Sequence, residues 1–121
     1  MAEPYKSEIL PYWKFATPED ARKSAKKIFE LFENYKKQRE FVGMDMARKF
    51  LQMGFTRSRR YANHGSGKKY NPDGTVRAQD TGSETSPKAE SAKIFYAYYK
   101  KVKDDDVYNE LRRKHQEVTS V

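Results

Sequence analysis

Apolar residues recur at spacings of three and four in the first long stretch of the chain, which is typical of an amphipathic helix. Thr17 can accept a hydrogen bond as an N-cap, and Pro18 suits the first helical position. The pattern predicts a helix from Pro18 to about Lys37. Its apolar stripe consists of Ala21, Ala25, Ile28, Phe32 and Tyr35.

The middle of the chain predicts two short helices rather than one long helix. The first helix spans about residues 44–53, and its apolar side consists of Ala47, Phe50, Leu51 and Gly54. Gly54 suits the left-handed residue that ends a helix, and Thr56 can cap a further short helix that runs to His64. Two helices around a glycine turn resemble a helix-turn-helix unit, although many helical hairpins share this weak signal.

Ser86 and Pro87 predict the start of the last long helix, and the acidic run 104–106 is expected to end it and to cap a final helix. The inward positions of these two helices are Ala89, Ala92, Phe95, Tyr96, Tyr99, Val102, Val107, Tyr108 and Leu111. Residues 65–86 are rich in Gly, Ser, Thr and Asp, which predicts a mobile polar loop.

Residues 1–16 contain two prolines and several bulky apolar residues, among them Trp13 and Phe15. We expect an extended aromatic arm that packs on the body, with a stacking platform for bases as the alternative. The complete pattern predicts one all-α domain over residues 1–121. It is a compact bundle of about four helices, with a long polar loop between the third and the last long helix.

Composition narrows the functional classes. The 121 residues contain no cysteine, so disulfides, thiolate catalysis and cysteine-zinc sites are excluded. Aromatic residues make up 14% of the chain, which favours a folded core over disorder. No apolar run has the length of a membrane span, and no signal-peptide pattern is present. We therefore expect a soluble cytoplasmic protein.

Positive charge is concentrated in one stretch, Met46–Pro72. The formal net charge of the chain is +8, and this stretch contains seven Lys and Arg residues and no acid. Clustered cations with interleaved tyrosines are typical of sites that bind phosphate backbones. The predicted site comprises Arg57, Arg59, Arg60, Asn63, His64, Lys68, Lys69 and Tyr70, with Arg48 and Lys49 in support.

Helix geometry assigns different roles within this stretch. Arg57 and Arg60 are three residues apart and share a face, so their guanidinium groups are the chief phosphate contacts. If Thr56 caps a helix, the free N–H groups beside it add attraction for an anion. Asn63, His64 and Tyr70 can contact sugar or base, while Arg59, Lys68 and Lys69 supply charge. The predicted function is non-catalytic binding of a phosphate-bearing ligand, with nucleic acid as the first choice.

Three alternatives remain open. The arginines can instead pair with carboxylates at Glu30, Glu33 or 104–106 and serve only stability. A nucleotide pocket or a phosphoryl-handling enzyme would use Asp45 and His64 as base and acid. An adaptor for an acidic protein partner would use exposed tyrosines. No catalytic residue, cofactor or metal ligand is assigned, because the two histidines form no HxxxH pair.

Four segments together resemble one known family, that of the domain of unknown function 4385. They read EPYKSEILPYWKF, TPEDARKSAKKIFELFENYKK, FVGMDMARKFLQMGFTRSRRYANHGSGKKY and KAESAKIFYAYYKKV. The resemblance covers almost the whole chain, and its central string is highly specific. It implies a small, mostly helical cytosolic protein of bacterial or phage type, without an established activity. Similar members often carry an additional segment before Glu3.

Overall fold

The structure is a computed structural model that describes residues 5–63 and 87–119, and these residues form an all-α bundle. No strand occurs in these two ranges. The predicted fold class is therefore confirmed, while the predicted loop at 65–86 lies outside the described residues. The helices are α1 (Tyr5–Ile9), α2 (Pro18–Lys37), α3 (Phe41–Asn63), α4 (Pro87–Lys103) and α5 (Asp106–Thr119), with a 3-10 turn at Leu10–Tyr12.

Helix α2 follows its local sequence signals. The Oγ1 atom of Thr17 accepts a hydrogen bond from the backbone N–H of Asp20 at 3.1 Å, and Pro18 occupies the first turn. All five residues of the predicted apolar stripe are buried. The helix ends at Lys37, and Arg39 then adopts a left-handed φ of 54° in the turn toward α3. The predicted helix and both of its ends are confirmed.

Helix α3 is continuous, so the predicted break at Gly54 is wrong. Gly54 is buried, and a Cβ atom added there would lie 2.5 Å from Cδ1 of Phe95 on α4. The glycine therefore allows a close approach of two helices and does not end one. Thr56 caps nothing, because its hydroxyl donates to the carbonyl oxygen of Gln52 at 2.9 Å within the helix. Because α3 runs without a break from Phe41 to Asn63, this segment does not form a helix-turn-helix unit.

Helix α3 is the central element, since it packs against both α2 and α4. Small buried residues at Gly54, Ser58 and Ala62 recur every four positions along its α4-facing side. Large fully buried side chains fill the core around this contact, among them Ile28, Phe32, Met44, Leu51, Phe95 and Val102. One side of α3 is thereby committed to packing.

The amino-terminal segment packs on the body as expected, but residues 5–12 are helical and not extended. Ile9 is fully buried in the core and Tyr5 packs against it, which places both residues on the same side of the short helix. The indole Nε1 of Trp13 donates to the carbonyl oxygen of Phe50 at 3.0 Å, and the two rings meet edge to face. Trp13 is thus a packing residue.

Asp105 joins three helices. Its Oδ1 accepts a hydrogen bond from the backbone N–H of Tyr108 at 2.9 Å, which confirms the predicted acidic cap of α5. Its Oδ2 lies 2.6 Å from Nζ of Lys36 at the end of α2. Burial of Asp105 opposes ionisation, but the bonds from Lys36 and from the backbone outweigh it and lower the pKa of this carboxyl group.

Candidate anion-binding groove

A groove of about 510 Å³ runs along the exposed side of α3, and its described lining residues all belong to that helix. Four of them are cations and one is an acid. The floor includes the partly buried side chains of Met46 and Met53. The lining consists of Asp45, Met46, Arg48, Lys49, Gln52, Met53, Thr56, Arg57 and Arg60. We call this feature the α3 groove.

The continuity of α3 aligns the cations. Lys49 and Arg60 are eleven residues apart, which is close to three turns, so they lie on the same side about 16 Å from each other. Arg57 is one turn before Arg60 on the same face. The groove therefore presents a line of positive charge that a helix broken at Gly54 would not form.

Arg48 is the anchored cation of the α3 groove. Its Nε and Nη2 atoms donate to Oδ1 of Asp45 at 3.2 and 2.9 Å, and Nη1 donates to Oε1 of Gln52. Burial disfavours its charge, but the bonds to Asp45 outweigh burial and raise the pKa of Arg48 above its ordinary value. Arg48 is therefore charged and fixed in orientation.

The other cations of the α3 groove lack acidic partners in the described part of the chain. Lys49 and Arg60 form no ion pair there, and neither does Arg57. The carboxylate of Asp105, which was one alternative partner for the arginines, is instead bound by Lys36.

Arg57 is held by an aromatic ring. Its guanidinium carbon lies 5.1 Å from the centre of the Trp13 ring, which is a cation–π contact, and Arg57 is an exposed residue. Arg57 also lines a second cavity of about 420 Å³, together with Lys14, Tyr61 and Lys88. In that cavity Lys88 Nζ donates to two backbone carbonyl oxygens, so its charge is partly used in the fold.

One family model matches residues 1–118 of the chain. The chain belongs to that family, the domain of unknown function DUF4385. Comparisons with curated proteins and with solved structures gave no match.

The predicted site residues of this DUF4385 protein fall into four groups. Arg57, Arg60, Arg48 and Lys49 line the α3 groove. Arg59 faces another side of α3, beside a hollow of about 290 Å³ that includes Tyr96, which is 47% exposed. Asn63 is the last residue of α3. His64, Lys68, Lys69 and Tyr70 lie outside the described residues.

The expected attraction from a helix N-terminus at Thr56 is absent, because Thr56 is an interior residue of α3. Its N–H group belongs to the helix, so the anion-binding argument from free amides does not apply there. Two residues that contact the arginines of the α3 groove were absent from the predicted site. Gln52 is four residues after Arg48 and could have been found from helix spacing. Trp13 was named only within the aromatic arm, and its contact with Arg57 joins positions that are distant in sequence.

The geometry of Asp45 does not favour the alternative in which Asp45 acts as the base of an enzyme. Its Oδ1 accepts bonds from Arg48 and from the hydroxyl of Tyr108 at 2.7 Å, so the carboxylate is held within a structural network. No group of three His, Cys, Asp or Glu side chains that could hold a metal ion occurs in the described ranges. Within the same ranges, no helix has the length and apolarity to cross a membrane.

Proposed function

We propose that this DUF4385 protein binds nucleic acid without catalysing a reaction, with the phosphate backbone lying in the α3 groove. The observation that carries the proposal is the line of Lys49, Arg57 and Arg60 on one exposed helix face. None of the three has a carboxylate partner among the described residues.

The spacing of these cations fits a chain of charges better than a single anion. The line from Lys49 to Arg60 is about 16 Å long. That length corresponds to the axial rise of roughly five nucleotides in one strand of a DNA duplex, at about 3.4 Å each. Arg57 adds a planar fork whose orientation is restricted by Trp13, which lowers the entropy lost on binding a phosphate.

Ion pairing with acids occurs at some of the cations on the described surface. Several of them pair with acids from the same or a neighbouring helix, as Arg22–Glu90, Lys23–Glu19, Lys36–Asp105 and Lys114–Glu110. A cluster used only for stability would be expected to show similar pairing. Lys49, Arg57 and Arg60 form no such pair within the described residues and also line one groove, and the two observations together support a role in binding.

The test is a titration of labelled single-stranded and duplex oligonucleotides, followed by fluorescence anisotropy at 50 to 200 mM salt. Three neutralised phosphates predict a slope of log affinity against log salt of about −2 for a single strand. The affinity should then fall roughly 20-fold across that salt range. Absence of binding to both forms would refute the proposal. Saturable, salt-insensitive binding of one mononucleotide would replace it with a nucleotide pocket.

Two double variants that remove equal charge, one inside the α3 groove and one outside it, test whether the groove is the binding site. The double variant Lys49→Gln/Arg60→Gln should reduce the salt slope by about 1.4, because two phosphate contacts are lost. The control Lys26→Gln/Lys37→Gln removes the same charge from exposed positions of α2 outside the α3 groove and should bind like the wild type. Equal weakening in both variants would mean a general effect of net charge and would overturn the assignment.

A further inference from the structure

A second cationic pocket, of about 270 Å³, lies where α3, α4 and α5 meet. It continues from the α3 groove, because both are lined by Arg48 and Gln52. The sequence gave no sign of it, since its residues come from three separate helices. The lining consists of Arg48, Gln52, Tyr99, Lys103, Tyr108 and Arg112. We call it the three-helix pocket.

The charge of the three-helix pocket suits a divalent anion. Arg48, Lys103 and Arg112 contribute three positive charges, and no described lining residue is acidic. Asp45 accepts hydrogen bonds from the lining residues Arg48 and Tyr108, so counting its charge leaves a balance of three minus one, or +2. Burial and the bond to Asp45 raise the pKa of Tyr108 to about 12, which keeps its hydroxyl neutral at physiological pH.

Some hydrogen-bond donors that line the three-helix pocket are not used in bonds within the protein. Arg48 uses three of its five N–H groups on Asp45 and Gln52. Gln52 accepts through Oε1, so its amide N–H groups remain available. Lys103 and Arg112 form no side-chain ion pair with any described residue.

We propose that the three-helix pocket holds the terminal phosphate of a nucleic-acid strand whose backbone lies in the α3 groove. The inference rests on the proposed function and specifies which part of the ligand binds where. A terminal phosphate monoester carries nearly two negative charges and three acceptor oxygens, whereas an internal phosphodiester carries one charge. The monoester therefore matches the balance of +2 and the convergence of donors from three helices.

The experiment compares one oligonucleotide sequence with a 5′-phosphate, with a 3′-phosphate and with hydroxyl ends. Wild-type protein should bind one phosphorylated form about tenfold more tightly than the hydroxyl form, because charge-assisted hydrogen bonds are gained. Lys103→Gln/Arg112→Gln should abolish that difference while leaving the affinity for the hydroxyl form nearly unchanged. The control Lys100→Gln/Arg113→Gln removes equal charge from exposed positions of the same helices and should keep the difference.

The outcomes separate this inference from the proposed function. Equal binding of all three oligonucleotides would overturn the terminal-phosphate site and leave the α3 groove standing. A tenfold preference that survives Lys103→Gln/Arg112→Gln would place the phosphate elsewhere and also overturn the inference. If no oligonucleotide binds, but inorganic phosphate shifts the NMR signals of Tyr108 and Lys103, both nucleic-acid proposals fail and the pocket takes free phosphate. Thermal unfolding of each variant verifies that it is folded.

Discussion

Replacing Gly54 by alanine should destabilise the protein, although alanine is the better helix former. The added Cβ atom would lie 2.5, 2.6 and 2.8 Å from three ring atoms of Phe95. Favourable contacts between carbon atoms are about 3.5–4.0 Å long, so the overlap is roughly 1 Å. Phe95 is fully buried within the core cluster, so its ring is surrounded by other side chains. Either α3 and α4 separate or the ring leaves its preferred rotamer.

The net effect of Gly54→Ala follows from two opposing contributions. Alanine stabilises a helix interior by about 1 kcal/mol relative to glycine. Overpacking a core typically costs about 1–3 kcal/mol, and a simultaneous overlap with three ring atoms corresponds to the upper end of that range. We therefore expect the free energy of unfolding to fall by about 2 kcal/mol. For a chain of this size, the loss corresponds to a decrease in Tm of about 8 °C.

A double-mutant cycle with Phe95→Leu tests the cause. Urea unfolding followed by circular dichroism gives the free energy of unfolding for the wild type, both single variants and the double variant. Leucine lacks the ring atoms, so Gly54→Ala should cost markedly less in the Phe95→Leu background. An equal cost in both backgrounds would instead indicate a left-handed backbone at Gly54, as in a helix end. A Gly54→Ala variant at least as stable as the wild type would refute the close packing.

Two further predictions concern stability. Asp105→Ala removes the cap of α5 and the ion pair with Lys36, so the free energy of unfolding at pH 7 should fall by about 2 kcal/mol in urea titrations. Because folding lowers the pKa of Asp105, its contribution is present above the unfolded pKa of about 3.9. The contribution is lost as the pH falls through the lower folded value, so the gap between variant and wild type should narrow in acid. Ser58→Ala should raise the free energy of unfolding by about 1 kcal/mol, because Oγ of Ser58 is buried without a hydrogen-bond partner. A less stable Ser58→Ala variant in the same titration would show that the hydroxyl is bonded in solution.

Elements whose ends are set by neighbouring residues were predictable from sequence. Thr17 and Pro18 start α2, and Asp105 caps α5, because each acts within one helical turn. Gly54 was not predictable, since a glycine after an apolar stripe fits both a helix end and a close helix contact. Only the position of Phe95, which is distant in sequence, decides between the two.

Some features of the candidate site were likewise predictable from the sequence, and others were not. The shared face of Arg57 and Arg60 follows from a three-residue spacing in any helix that contains both. The alignment of Lys49 with them requires an uninterrupted helix through Gly54, which the sequence did not indicate. The three-helix pocket depends on how α4 and α5 pack against α3, and this is a property of the tertiary fold alone.

The position of the cations within α3 decides which of them is the best test of binding. Arg60 lies in the last turn of the helix, where its dipole favours positive charge by about 0.3–1 kcal/mol. The position of Arg60 therefore has a partial explanation in stability. Lys49 lies near the middle of α3, where the dipole contributes little, and it has no ion pair in the described part of the chain. A loss of oligonucleotide affinity in Lys49→Gln, without loss of stability, would thus be the result that a purely structural cluster cannot produce.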